Sequence, residues 1–147
     1  LSLKGKSYAF SPIKKNNQAG DLSYNYYSNL IAKHLNDYGM HLTSKEKANI
    51  IVEYSYFIGE SEGNSLGVRA NKNILYPYHL IMRLYDKNNL STGNSEPMYQ
   101  VSVQTVRKKR QPLFQILPYM IKALFDDFPG ENGTMRSIKV KLDATNS

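Results

Sequence analysis

The sequence predicts an α+β fold, a two-layer sandwich in which two helices cover one face of a mostly antiparallel sheet. Three observations support this fold class. Apolar and aromatic residues alternate through Ala48–Glu60, as expected for a strand with one buried face. Apolar residues recur at helical spacing through Leu22–Tyr38 and again through Pro112–Phe128. We expect the strand Asn49–Ile58 to be central in the sheet, with Tyr54 at least partly buried.

The chain length fits one domain. A chain of 147 residues can bury about two-thirds of its unfolded surface. We expect a single α+β domain over residues 4–142 and a frayed tail over residues 143–147. No stretch approaches the roughly 20 apolar residues that a membrane-spanning helix needs. The first residue is Leu1 and not Met, so we expect any targeting segment to lie upstream of it.

The N-terminal part predicts a strand followed by a helix. Lys6–Ser11 is short, aromatic and alternating, and Pro12 ends its capacity for strand hydrogen bonding. Asp21 is suited to the N-cap of the helix Leu22–Tyr38, because its carboxylate can accept hydrogen bonds from the first-turn amides. Gly39 stands where a left-handed C-cap residue is expected.

The middle of the chain predicts a hairpin. Met40–Thr43 is either a short strand or the tail of a turn. Gly59–Asn73 lacks an apolar pattern and is rich in Gly, Ser and Asn, so we expect a mobile loop there. Alternation resumes over Tyr76–Asp86 and over Met98–Arg107. The turn-forming residues of Lys87–Pro97 indicate a long loop that joins these two strands in an antiparallel hairpin.

The C-terminal part predicts a helix and an edge strand. Pro118 interrupts the helical pattern, so the helix either kinks there or begins near Leu117. Arg136–Leu142 alternates apolar and polar residues. We expect an edge strand with outward lysines, which discourage pairing between molecules. Leu80, in the preceding hairpin, should be at least partly buried.

The charge balance favours anionic partners. The chain has 19 Lys and Arg against 12 Asp and Glu, a net charge of +7. The densest positive run is Arg107, Lys108, Lys109 and Arg110, which we expect to be exposed between a strand and a helix. It is a possible anion-binding site for lipid headgroups or nucleic acid, through charge neutralisation. The alternative is an ordinary solvated loop.

No residue pattern in the sequence predicts catalysis. The absence of cysteine excludes disulfides, thiolate metal sites and a cysteine nucleophile in this chain. The histidines His34, His41 and His79 lack metal-binding spacing. Asp126 and Asp127 diverge by about 100° on a helix, so they cannot act as one acid/base pair. We therefore expect no catalytic residue, no metal and no cofactor, and we predict that the protein is not an enzyme.

Several short segments match the pattern of a known family. Lys6–Phe10 followed by Pro12 is similar to an opening strand of the form K-T-Y-A-W-x-P. The helix through Ile31 and Leu35 to Gly39 follows in the same order. The other matches are Ala48–Tyr54 to A-D-L-L-V-x-Y, Leu80–Asp86 to L-x-I-x-L-x-D, and Ala123–Pro129 to I-L-x-x-F-P.

With these segments, the chain from Lys4 to Pro129 resembles the bacterial envelope lipoproteins grouped as domain of unknown function (DUF) 4136. The chain departs from that pattern at Met98-Tyr99, where the family commonly has Trp. The predicted strand after Pro129 is a further addition.

The resemblance implies a location and a general role. It implies an upstream signal peptide with a lipid-modified Cys, and residence in the periplasm anchored to a membrane, the outer membrane being the one we expect. It implies no known catalytic residues, so we predict a binding or assembly module of the cell envelope. The expected partners are other envelope proteins and, through the anchor, the membrane; nucleic acid is not an expected partner, and the oligomeric state is left open.

Two alternatives remain at this point. One is an anion-binding module that uses Arg107–Arg110 to hold lipid headgroups or nucleic acid. The other is similarity to the lipopolysaccharide-transport lipoprotein of the outer membrane, which is also a sheet backed by helices.

Overall fold

A computed structural model describes residues 2–11, 22–59, 61–62, 74–130 and 135–140. These residues form seven strands and three helices. In chain order the elements are β1 Ser7–Phe10, α1 Leu22–Tyr38, β2 His41–Leu42, β3 Ile50–Ile58, β4 Ser61–Glu62, β5 Ile74–Asp86, α2 Lys87–Ser91, β6 Tyr99–Arg107, α3 Leu113–Leu124 and β7 Met135–Lys139.

The sheet is mixed, and the prediction of a mostly antiparallel sheet is wrong in that respect. Its strand order is β2-β1-β3-β5-β6-β7, with the short β4 paired to β5. The pairs β3–β5, β4–β5 and β5–β6 are antiparallel, whereas β1–β2, β1–β3 and β6–β7 are parallel. Parallel neighbours need a long crossover connection. The long helices serve this purpose, because α1 lies between β1 and β2 and α3 lies between β6 and β7 in the chain.

The α+β sandwich is confirmed. Side chains of α1 and α3 share one core cluster with the same face of the sheet. Tyr54 and Leu80, which were expected to be at least partly buried, are 1% and 0% exposed. Leu35 of α1 and Leu117 of α3 are likewise fully buried in this cluster. A smaller cluster around Ile51 lies on the opposite face.

Helix α1 runs antiparallel to β3. Near its start, the ring of Tyr27 packs edge-on against Tyr56, late in β3, with centroids 5.2 Å apart. Nearer its end, the Ala32 carbonyl accepts a hydrogen bond of 3.3 Å from the Tyr8 hydroxyl, and Tyr8 pairs with Ile50 at the start of β3. The first turn of α1 therefore lies toward the C-terminal end of β3.

The end of α1 is as predicted. Gly39 has φ 113°, and its N–H donates to the Asn36 carbonyl at 3.0 Å. The Met40 N–H donates to the Leu35 carbonyl at 3.0 Å. This pair of bonds is a Schellman motif, which satisfies carbonyls that the helix leaves free. The predicted N-cap, Asp21, lies outside the described residues.

The connections of the hairpin contain regular structure that the sequence did not predict. Part of the predicted turn region forms α2, whose first turn is capped by Asp86 through a 3.2 Å hydrogen bond from the Asn89 N–H. Strand β4 occupies part of the predicted loop Gly59–Asn73, and residues 60 and 63–73 lie outside the described residues. The antiparallel hairpin itself, β5 with β6, is confirmed.

The C-terminal helix is continuous through Pro118 but shorter than predicted. Helix α3 begins at Leu113 and ends at Leu124, four residues before Phe128. The ring of Phe128 instead packs edge-on against Tyr99 of β6, with centroids 5.4 Å apart. Asp127 has φ 57°, outside the region of a right-handed helix, so the chain has left the helix before Phe128.

The predicted last strand is confirmed as an edge strand. β7 is the last strand in the order of the described strands and pairs in parallel with β6, and Ser137 and Lys139 on it are exposed. Residues 141–147, which include the predicted tail, lie outside the described residues. In the part of the chain that the structure describes, no helix has the length and apolar character to cross a membrane.

Candidate anion-binding surface

The four residues of the basic run between β6 and α3 differ in their burial. Lys108, Lys109 and Arg110 are exposed, as predicted. Arg107 is 3% exposed, so the prediction that it would be exposed is wrong. The reason is the strand alternation, because Arg107 continues the inward-facing row that includes Val103. Only three of the four basic residues can therefore present their charge to an external anion.

Arg107 restrains the connection between β6 and α3, residues 108–112, which carries these three cations. Its Nε donates to Gln111 Oε1 at 2.9 Å. The Gln111 N–H donates to the Tyr78 hydroxyl oxygen at 2.6 Å, and that hydroxyl donates back to the Gln111 carbonyl at 2.7 Å. The connection is thus fixed at both ends, to β6 at Arg107 and to β5 at Gln111. Within the described part of the chain, the buried Nη2 of Arg107 has no hydrogen-bond partner.

Several elements meet at this end of the sandwich. Ile58 at the end of β3 pairs with Tyr78, near the start of β5, and Tyr76 of β5 pairs with Arg107 at the end of β6. Helix α3 begins here after the basic connection. The first turn of α1 points to the same end, because α1 runs antiparallel to β3.

Exposed apolar side chains concentrate at the same end. In the described residues, eight large apolar side chains are exposed, and six of them lie here. These six are Leu22, Tyr26, Phe57, Ile74, Val106 and Phe114. The other two, Leu42 and Tyr119, lie elsewhere. We define the basic end as Lys108–Arg110 together with these six apolar residues.

Among the residues that the structure describes, the acidic ones lie mainly at the opposite end. Asp86 pairs with Ile50 at the start of β3, and Asp126 and Asp127 follow α3 in an exposed turn. At the basic end, Glu62 of β4 pairs with Ile74, so one acidic residue is placed there by its backbone position. The described side chains therefore leave the three cations of the connection as the main charge of this end.

The histidines do not come together. The His34 ring stacks on Phe125 with centroids 4.7 Å apart, and the His79 ring stacks on Phe57 at 4.4 Å. Burial lowers the pKa of both imidazoles. His41 is exposed in β2. Among the described residues, no group of three or more His, Cys, Asp or Glu is placed to hold a metal ion.

A shallow cleft of about 390 Å³ lies over the small apolar cluster on the open face of the sheet. Ile51 and Leu90 contribute apolar surface, and Lys45 and Lys87 are its cations. The remaining lining residues are Ser11, Glu46 and Ser91. Sequence reasoning missed this cleft because one wall is α2, which the turn-forming residues did not predict.

Comparisons with known proteins bear on the family and the fold. The family model described as Domain of unknown function (DUF4136) matches residues 2–130. The fold is similar to part of a PDZ domain protein from Parabacteroides distasonis, with a TM-score of 0.57 and 13% identity over 86% of this chain and 32% of that chain. No curated protein matches the chain in sequence.

Two further solved structures match the chain with lower TM-scores. A minor lipoprotein from Acinetobacter baumannii has a TM-score of 0.44 and 13% identity, over 83% of this chain and 84% of that chain. A hypothetical protein from Chlamydia trachomatis has a TM-score of 0.44 and 11% identity, over 82% of this chain and 91% of that chain.

Proposed function

The chain belongs to the DUF4136 family, and from that premise we propose that it is the non-catalytic domain of a membrane-anchored bacterial envelope lipoprotein that acts as a binding module. The proposal places the domain in the periplasm, held by a lipid anchor at a cysteine upstream of Leu1. The family match over residues 2–130 supports this placement, because the chain resembles lipoproteins of the bacterial envelope in the same segments.

The basic end is the observation that carries the binding role. Its apolar members are well exposed, with Leu22 at 86% and Phe114 at 63%. Exposed apolar side chains that gather on one part of a folded domain commonly mark a contact with a partner or a membrane. Here they lie at the same end of the sandwich as three exposed cations on a connection that is fixed at both ends. A surface of this composition is better suited to binding than to catalysis.

The described side chains do not favour an enzyme. A hydrolytic site needs a nucleophile with a base within hydrogen-bond reach. The cleft beside α2 contains Ser11 and Ser91 but no histidine. Both histidines with a shifted pKa are stacked on phenylalanine rings, and burial is the main cause of each shift. These features support a binding role.

The test of this proposal is the location of the full-length protein in the cell. We expect the coding sequence upstream of Leu1 to contain an apolar segment that ends in a cysteine. We also expect the protein to fractionate with membranes and to become soluble when that cysteine is changed to Ser. A start codon directly upstream of Leu1, with the protein in the cytoplasmic fraction, would contradict the proposal.

A further inference from the structure

We infer that the basic end docks on an anionic lipid surface, with Lys108, Lys109 and Arg110 against the headgroups and Phe114 and Leu22 at the boundary of the acyl chains. The inference names the partner of the binding module and rests on the function proposed above. It also fixes an orientation, because it places the C-terminal end of β3 and the first turn of α1 toward the bilayer. The start of β1, which runs parallel to β3, then lies on the far side of the domain, so the segment between the proposed anchor and Leu1 has to reach past the length of the sandwich.

The cations are arranged for such a contact. Lys108, Lys109 and Arg110 are successive and exposed. The hydrogen bonds of Gln111 with Arg107 and Tyr78 restrain the connection before any ligand arrives. A restrained connection loses less conformational entropy on binding than a free one. Each basic residue near an anionic membrane contributes about fivefold in affinity at low ionic strength.

The apolar side chains distinguish lipid from nucleic acid. Single-stranded nucleic acids are held by basic residues together with aromatic rings on which bases stack. Three of the six exposed apolar residues at the basic end are aliphatic, namely Leu22, Ile74 and Val106. Aliphatic side chains cannot stack on bases but do gain from burial at the edge of the acyl region, where basic residues reach the headgroups. The combination therefore favours a lipid surface.

A protein partner fits this surface less well. Lysine is depleted from the buried core of protein interfaces, where desolvating its ammonium group is costly. Lys108 and Lys109 lie in the chain between the exposed Val106 and Phe114, so a protein partner that covered both apolar side chains would also cover the lysines. At a lipid surface the same ammonium groups can remain at headgroup level while apolar neighbours insert.

The first experiment tests the charges with the 147-residue chain and unilamellar vesicles of phosphatidylglycerol and phosphatidylcholine, against vesicles of phosphatidylcholine alone. The test variant is Lys108→Gln, Lys109→Gln, Arg110→Gln. The matched control is Lys33→Gln, Lys47→Gln, Lys122→Gln, which removes the same net charge from exposed positions outside the basic end. Thermal melts of both variants establish that they fold.

We expect the wild-type chain to co-sediment with the anionic vesicles and not with the neutral ones. The test variant should lose about 100-fold in affinity at low salt, from three contributions of about fivefold each. The affinity of the control for anionic vesicles should stay within a fewfold of the wild-type affinity. Added salt should weaken the vesicle binding of the wild type most.

The second experiment tests insertion. The chain has no tryptophan, so Phe114→Trp introduces a single fluorescent reporter at the basic end. Tyr119→Trp is the control, because it is also exposed on α3 but five residues further from that end. We expect Trp at position 114 to shift its emission to shorter wavelength and to be quenched by brominated lipid in anionic vesicles. The reporter at position 119 should do neither.

Two results would overturn the inference. One is equal vesicle binding by the wild type, the test variant and the control, which leaves the connection as a solvated loop. The other is absence of vesicle binding together with single-stranded DNA binding that needs Lys108–Arg110, which identifies nucleic acid as the ligand. Both assays use the chain without an anchor, so either result leaves the fractionation test of the proposed function unaffected.

Discussion

The ring of Tyr54 lies parallel to the ring of Tyr24, with centroids 5.2 Å apart and an interplanar angle of 2°. The Tyr54 hydroxyl donates to the Tyr24 carbonyl at 2.8 Å. Because that hydroxyl has one hydrogen, the 2.7 Å contact with Ser28 Oγ must have serine as the donor. One buried phenol thus joins the central strand to two turns of α1.

The first prediction concerns this hydroxyl. Tyr54→Phe should lower the free energy of unfolding by about 1–3 kcal/mol, because it removes the buried hydrogen bonds of this hydroxyl with the Tyr24 carbonyl and with Ser28 Oγ. Denaturant unfolding measures the change. Tyr119→Phe is the control, since Tyr119 is 55% exposed and its change should stay within about 0.5 kcal/mol. Equal stability of the two variants would show that the hydroxyl contributes nothing net.

The second prediction concerns alkaline pH. Burial raises the pKa of the Tyr8 hydroxyl from 10.0 to about 12. Between these values the unfolded chain loses a proton that the folded chain keeps, so stability falls as pH rises, by at most about 1.4 kcal/mol per pH unit from this residue. Burial raises the pKa of Tyr54 in the same direction.

Unfolding titrations of wild type and Tyr8→Phe check this slope. The variant should start less stable, because Tyr8 donates to Asn36 Oδ1 at 2.8 Å, but its stability should fall less steeply above pH 10. A slope equal to that of the wild type would contradict the prediction.

The third prediction concerns mildly acidic pH. Burial, the largest effect, lowers the pKa of His34 below 6.5, while Asp37 opposes the shift and Lys33 and Lys122 add to it. The unfolded chain therefore takes up a proton first as pH falls below 6.5, and stability declines until the folded pKa is passed. His34→Gln should show a shallower decline in unfolding experiments below that pH. His79, whose pKa is also lowered by burial, is still present in this variant, so part of the decline in stability should remain.

The fourth prediction concerns the buried guanidinium of Arg107. A buried polar nitrogen with no hydrogen-bond partner costs about 1–3 kcal/mol. Arg107→Met keeps most of the side-chain volume and removes that cost, so we expect its free energy of unfolding to equal or exceed that of the wild type. Arg107→Ala should be less stable than Arg107→Met, because it also leaves a cavity. A Met variant that is more than about 1 kcal/mol less stable than the wild type would contradict this view.

The elements with strong local patterns could be predicted from the sequence. Alternation identified β3 and β6, and the stripe of apolar residues identified α1, whose observed bounds are Leu22–Tyr38. Gly39 was recognisable as the C-cap because few other residues adopt φ 113° without strain. In these cases the spacing of the apolar side chains identifies the element, and the conformational constraint at Gly39 identifies the end of α1.

The candidate site was only partly predictable. The run Lys108–Arg110 is visible as a charge cluster, and its exposure follows from its place between two elements. The exposed apolar residues around it are far apart in sequence, from Leu22 to Phe114, and no local pattern links them. They lie at one end of the sandwich because α1 runs antiparallel to β3 and because β5 pairs with both β3 and β6.

The sequence alone determined the α+β class and the positions of the main helices and strands, because these follow from residue spacing. Only the tertiary structure decided which strands are parallel, where α3 ends, and that Arg107 is buried while its three neighbours are exposed. Strand direction depends on the crossover connections. Beyond α3 the ring of Phe128 packs against Tyr99, and the buried Arg107 is held in its row of β6 by Gln111. These contacts join residues whose proximity no local pattern encodes.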